Sequence, residues 1–181
     1  MRLLGIDPGS TATGFGVVEK APAGLVHVAH GVLRPPRDAS LARRLAFLHA
    51  ALLEVIEEHR PNHAAVEKVF VAASPRSALV LGQARGVALA ALASHSLEVS
   101  EISAREVKKG VVGNGGASKS QVQDMVMRLL ALESAPPSDA ADALAIAICR
   151  IHAGPLAGLG MRSRRKRRRF TAEEIGSRAR T

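Results

Sequence analysis

Apolar residues open the chain in three short runs. Leu3 to Ile6 predicts a central strand over Arg2 to Ile6, and Gly14 to Lys20 and Gly24 to Leu33 read as the second and third. The links between them are short and turn-rich, which favours antiparallel neighbours. The period then changes. From Ser40 to Arg60, Leu41, Leu45, Leu48, Leu52, Leu53 and Ile56 recur at helical spacing with charges between them, behind a serine suited to cap a helix. Ala64 to Val66 predicts a fourth strand that, like the first, ends on an acid, Glu67. Arg76 to Ser96 is a helix rich in Ala, Leu and Val on nearly every face, so it is expected to be covered on most sides, in part by a partner subunit. Leu97 to Ile102 is a fifth strand. Ser118 and Gln121 have capping-box spacing ahead of Val122, Met125, Val126, Leu129 and Leu130. After Pro136 and Pro137, Leu144, Ile148 and Ile151 line one face of a last helix, and Gly154 to Gly160 loosens the chain. This order is a mixed α/β plan without internal repeats.

With 181 residues and 47% hydrophobic content, the chain has enough material for one folded unit, which at this size buries roughly 70% of its unfolded surface. One cysteine, Cys149, is too few for an internal disulfide or a cysteine-based zinc site and points to a reducing compartment. The N-terminus does not read as a Sec signal, and the expectation is that no apolar stretch is long enough to cross a membrane, which makes the cytoplasm the expected location. The net charge of +9 is unevenly spread. Arg162 to Thr181 holds nine Lys or Arg against two Glu, a net +7, whereas the preceding residues hold 16 basic and 14 acidic ones, a net +2. The chain therefore divides into a nearly neutral domain, 1–154, and a basic tail, 155–181, whose run Arg164 to Arg169 is suited to sequence-independent contact with DNA phosphates.

Four carboxylates carry the candidate chemistry. Asp7 and Glu67 end apolar strands; Asp139 and Asp142 lie three apart in SDAADALAIAI and so project from one side of a helix. Each has an ordinary reading: Asp7 before Pro8 and Gly9 can start a turn, Glu67 can pair with Lys68 or Arg76, and the two Asp suit a helix N-terminus. Convergence would change that. If the first and fourth strands are adjacent and parallel, Asp7 and Glu67 share an edge that the last helix can reach. Two like charges 4 Å apart cost about 4 kcal/mol at an effective dielectric of 20, so such a cluster needs a cation. An all-oxygen donor set suits Mg²⁺ or Mn²⁺, and a pair of such ions supports phosphodiester hydrolysis.

The runs GIDPGSTATGFGVV, VEKVF, LGQARGVALAA, VKKGVVGNGGASKSQVQ and SDAADALAIAI, in this order from Leu4 to Ile148, resemble the successive motifs of RuvC, the family of bacterial Holliday junction resolvases. The resemblance implies an RNase H-like fold, with three antiparallel N-terminal strands and two further parallel strands in a five-stranded mixed sheet flanked by helices. It also implies a homodimer that cuts four-way DNA junctions symmetrically, with Asp7, Glu67, Asp139 and Asp142 as the metal-binding catalytic set for Mg²⁺ or Mn²⁺, two ions per subunit. Phe70 stands where the family has an aromatic residue after its second acid, and stacking on a base is worth about 1 to 3 kcal/mol. Lys108 and Lys119 match basic positions of the family near the cleavage site, suited to phosphate contact. Arg76, in the loop VAASPRS that is least like the family, is a further candidate for junction contact. Branch-migration proteins analogous to RuvA and RuvB are the implied partners.

Lesser features carry smaller expectations. GNGGAS, Gly113 to Ser118, leads into a helix N-terminus that could receive a phosphate. Gly82 and Gly86, one turn apart, would admit close approach of another element, in the same chain or in a second copy. His27 and His30, three apart on a strand, are expected to face opposite ways. Two other functions are compatible with parts of the pattern. DPGSTATG also resembles the first phosphate loop of actin-like and sugar-kinase-like ATPases, although these need two such domains and the chain has residues for one. A non-catalytic junction-binding module would not need all four acids.

Overall fold

A computed structural model describes residues 1–9, 11–68 and 74–154. Three strands come first: β1 (Arg2–Asp7), β2 (Thr13–Ala21) and β3 (Gly24–Leu33). After α1 (Leu41–His59) come β4 (His63–Glu67), α2 (Pro75–Ser94) and β5 (Glu98–Ile102). Three helices follow: α3 (Ala104–Val112), α4 (Lys119–Leu129) and α5 (Ser138–His152). The five strands form one sheet in the order β3-β2-β1-β4-β5. β1, β2 and β3 pair antiparallel, while β4 runs parallel to both β1 and β5. This is the sheet expected from the sequence. The register Leu3↔His63 through Ile6↔Val66 brings the carboxyl ends of β1 and β4 side by side.

Alternation along the strands splits the core in two. Leu4, Ile6, Val17, Ala64 and Val66 face α1 and α2, whereas Leu3, Val18 and Ala65 face α3, α4 and α5. α5 is the central helix of the second layer, with every residue from Ala143 to Ile151 buried. Its Leu144, Ile146, Ile148 and Ile151 are each worth roughly 1.5 to 3 kcal/mol in removed apolar surface. Arg150 is buried too: its Nε donates to Ser100 Oγ at 2.8 Å and its Nη1 to the Gly154 carbonyl at 3.0 Å, which ties the end of α5 to β5.

The helix starts follow local chemistry. Ser40 Oγ accepts from the Arg43 N–H, and Ser118 with Gln121 forms the expected capping box. A second capping box, Ser103 with Glu106, opens α3, a helix the apolar spacing did not reveal.

Three expectations need correction. β3 carries an irregularity in its pairing with β2: Val17 pairs with Ala29 but Val18 with His27, so Val28 is an extra residue. The bulge resets the alternation, and His27 and His30 face the same way, with Nε2 of one 2.8 Å from Nδ1 of the other. α2 is not covered on most sides within this chain. It buries Ala84, Ala88, Ala91 and Leu92, and leaves Leu79 65% exposed, with nothing among the described residues near enough to touch a Cβ placed at Gly82 or Gly86. By length and composition alone, α2 would also pass for a bilayer-crossing helix, contrary to the expectation of no such stretch; here its buried side lies on the sheet. The tail, 155–181, and Phe70 lie outside the described residues.

Candidate active site

The site is built at the carboxyl ends of β1 and β4. Asp7 ends β1, and the turn after it is closed by a buried Thr13, whose Oγ1 donates to the Gly9 carbonyl at 3.1 Å and accepts from the Gly9 N–H at 3.3 Å. Glu67 ends β4. The Lys68 N–H continues the pairing with β5 through the Ile102 carbonyl at 2.8 Å, whereas the Glu67 carbonyl accepts from Arg85 Nε of α2 at 3.2 Å.

Two glycines allow α5 to reach this edge. Gly14 pairs across the ladder with Asp7, and a Cβ on Gly14 would overlap the carbonyl oxygen of Asp139. A Cβ on Gly5 would likewise overlap the carbonyl of Ala143. The first turn of α5 thus rests directly on bare backbone, next to Asp7, and Asp142 follows on the same side. The sequence signal for this contact is the glycines inside otherwise apolar strands.

The proximity of the acids shows in their electrostatics. Burial first, then the charges of Glu67, Asp142 and Asp139, push Asp7 from an ordinary 3.8 to about 8. Burial also raises Glu67, joined by the charge of Asp142 and opposed by contact with Asp7 and the charge of Lys119. The Asp7 and Glu67 carboxyls are close enough for each to act on the other's affinity for a proton. Lys119 Nζ donates to Asp142 Oδ2 at 2.5 Å, and this bond raises the lysine's own affinity for its proton. Glu67 forms no ion pair with Lys68 or Arg76 among the described residues.

Beside the acids, a cavity of about 250 Å³ opens between α3, α4 and α5. Glu67, Lys108, Lys119 and Asp142 supply its polar lining, while Ala104, Val107, Val122, Ala145 and Ile146 form an apolar wall. Lys108 and Lys119 therefore meet at the site from different helices. Arg76 is exposed in the first turn of α2, and makes no hydrogen bond among the described residues. GNGGAS forms the turn between α3 and α4: Gly113 takes φ +85° at the end of α3, and the Gly116 N–H donates to Asn114 Oδ1 at 3.0 Å.

In kind, the donor set fits a hard divalent cation: all oxygen, with like charges that need neutralising. In position, no three His, Cys, Asp or Glu side chains among the described residues converge tightly enough to hold one ion. The difference lies in side-chain orientation, with the raised Asp7 set against Glu67 and the Lys119 ammonium taking a cation's place at Asp142.

The chain is similar to known proteins in sequence and in fold. The family described as crossover junction endodeoxyribonuclease RuvC matches residues 3–150. A crossover junction endodeoxyribonuclease RuvC from Burkholderia multivorans is 52% identical over 154 residues, 85% of either chain. The structure of T. thermophilus RuvC in complex with a Holliday junction substrate superposes with a TM-score of 0.80 at 35% identity, covering 84% of this chain and 94% of that one. A yeast mitochondrial Holliday junction resolvase, 13% identical over 83% of this chain and 78% of that one, has a TM-score of 0.61 and shares the RNase H-like fold.

Proposed function

The chain belongs to the RuvC family of crossover junction endodeoxyribonucleases, and we propose that it resolves four-way DNA junctions at Asp7, Glu67, Asp139 and Asp142. The observation that supports this assignment is the convergence on Asp7 of acids from two other elements, Glu67 of β4 and Asp139 and Asp142 of α5, whose charges add to burial in pushing Asp7 up to about 8 unless another cation replaces its proton. Mg²⁺ or Mn²⁺, two ions per subunit, would supply that charge, polarise the scissile phosphate and lower the pKa of the attacking water. The residues of the chain do the rest. Asp7 and Glu67 anchor the site on rigid strand ends, and Asp139 and Asp142 close it from α5. Lys119 holds the charge of Asp142 in balance and is free to turn to a phosphate; Lys108, across the cavity, neutralises the strand beside it. Phe70 stacks on an unpaired base near the crossover and Arg76 contacts a phosphate further out. The apolar wall keeps bulk water from one side of the acids.

A junction must be cut twice, so the active species is a homodimer whose two sites act on symmetry-related strands. The open face of α2 supports this reading, because Gly82 and Gly86 offer a close approach that no element of the same chain uses among the described residues. The protein works in the cytoplasm with branch-migration partners of the RuvA and RuvB type.

The test is cleavage of a synthetic four-way junction and of a linear duplex, with and without Mg²⁺ or Mn²⁺. Metal-dependent paired nicks near the crossover are expected with the wild type. For Asp7→Asn, cleavage is expected to fall about 100-fold or more while junction affinity stays within a few fold. Substantial cleavage by that variant would remove Asp7 from the catalytic set. Hydrolysis of ATP without cutting would revive the ATPase reading, and binding without cutting the non-catalytic one.

A further inference from the structure

Glu67 occupies the last position of β4, where the strand has ceased to be held on one side. The peptide unit that follows Glu67 is held at its N–H end by the sheet, where the Lys68 N–H donates to the Ile102 carbonyl. What holds the Glu67 carbonyl is a side chain from another layer: Arg85 Nε, at 3.2 Å. The Nη2 of the same guanidinium is bound to the Glu101 carboxylate of β5. Nε and Nη2 form one edge of the planar group, so a single arginine engages both acceptors at once and in fixed relative geometry, which a lysine ammonium cannot do. Arg85 is only 22% exposed and Glu101 46%, so the pair is partly shielded from competing water.

We infer that Arg85, oriented by Glu101, is a positioning residue for Glu67: it holds the carbonyl end of a peptide unit that the sheet holds at its N–H end, and so completes the fixing of the direction in which the Glu67 carboxylate meets Asp7 and would meet a metal. The inference rests on the reading of Glu67 as a metal-binding acid. Arg85 touches neither the carboxylate nor, by its position on α2, the reacting phosphate; it acts through the backbone that carries the acid. The arrangement also joins α2 to the catalytic strand, so that the helix with the open face is fastened to the site by one charged contact.

The experiment uses full-length protein with Arg85→Lys, Glu101→Gln and the double variant. Three readings are taken: single-turnover cleavage of a four-way junction, junction affinity without metal, and direct Mn²⁺ binding by calorimetry without DNA. Partners that orient metal ligands are typically worth 10 to 100-fold in metal affinity or activity. Arg85→Lys is expected to cleave about tenfold more slowly and to bind Mn²⁺ correspondingly more weakly, with junction affinity within about twofold of wild type. Glu101→Gln, which leaves the Arg85 donor in place but unoriented, should lose less, and the double variant should be no worse than Arg85→Lys alone. Wild-type Mn²⁺ affinity in Arg85→Lys would overturn the inference whatever the cleavage result, as would a rate loss matched by equal loss of junction affinity or by loss of the dimer. Absence of cleavage in the wild type would instead strike the proposed function, leaving the Mn²⁺ comparison to decide the role of Arg85.

Discussion

At the scale of single residues, the site is a problem of charge. Asp7 is a carboxylate that its own fold keeps protonated, chiefly through burial and then through Glu67, Asp142 and Asp139. Between its unfolded value of 3.8 and its folded value of about 8, the native state binds a proton that the unfolded chain has released, so stability must fall as pH rises through this window. Metal-free protein is therefore expected to melt several degrees lower at pH 8 than at pH 5, and Asp7→Asn to flatten that slope and to raise the melting temperature at pH 8. Saturating Mg²⁺ should have a similar effect on the wild type by taking over the proton's role. Calorimetric melts across pH, with and without Mg²⁺, provide the check; an unchanged slope in Asp7→Asn would place the destabilising charge elsewhere. The stability such a substitution returns is what the native site gives up in order to bind cations.

At the scale of elements, the acids were legible in the sequence because they interrupt patterns. Asp7 and Glu67 each stop an apolar strand, and Asp139 and Asp142 share one side of an otherwise apolar helix. The alignment of β1 with β4 stood in the sequence only as a condition on which the acids would converge, and the parallel pairing of the two strands meets it. Other features were hidden because they depend on contacts between elements rather than on periodicity. α3 has few apolar positions and announced itself only by Ser103 and Glu106 at capping spacing. A one-residue bulge at Val28 leaves no compositional trace, yet it turns His27 toward His30. The exposure of α2 could not be read from a helix apolar all round, since such a pattern does not say whether the cover comes from the same chain. Most consequential is Gly14, which reads as a weak point of β2 and is instead the seat of α5. A methyl group there must push the Asp139 carbonyl away from Asp7. Gly14→Ala is expected to destabilise by about 1 to 3 kcal/mol and to reduce junction cleavage far more than junction binding. Denaturant melts with paired cleavage and binding assays measure this; cleavage at the wild-type rate would show that the acids tolerate a shifted helix.

At the scale of the whole molecule, two halves of the structure face different tasks. The layer of α3, α4 and α5 is buried against the sheet and carries Lys108, Lys119, Asp139 and Asp142, whereas α2 leaves an apolar face uncovered from Leu79 past Gly82 and Gly86. Under the proposed dimer this face is where a second copy packs, and the glycines set how close the copies come. Gly82→Glu tests the arrangement without harming the monomer: no described atom of the chain lies within reach of the new side chain, and a glycine replaced in a helix interior gains about 0.5 to 1 kcal/mol of helix propensity. At a two-fold contact, however, each copy would bring its own unpaired carboxylate into an apolar interface, which disfavours association. The expected product is a folded monomer by sedimentation, melting no lower than the wild-type subunit. On a supercoiled plasmid with an extruded cruciform, two coordinated cuts give linear DNA and a single cut gives a nicked circle. The wild type should therefore yield linear product and Gly82→Glu nicked circles at reduced rate, because each monomer retains its four acids but has lost its counterpart. A Gly82→Glu protein that remains dimeric and still linearises the plasmid would move the two-fold contact off this face of α2.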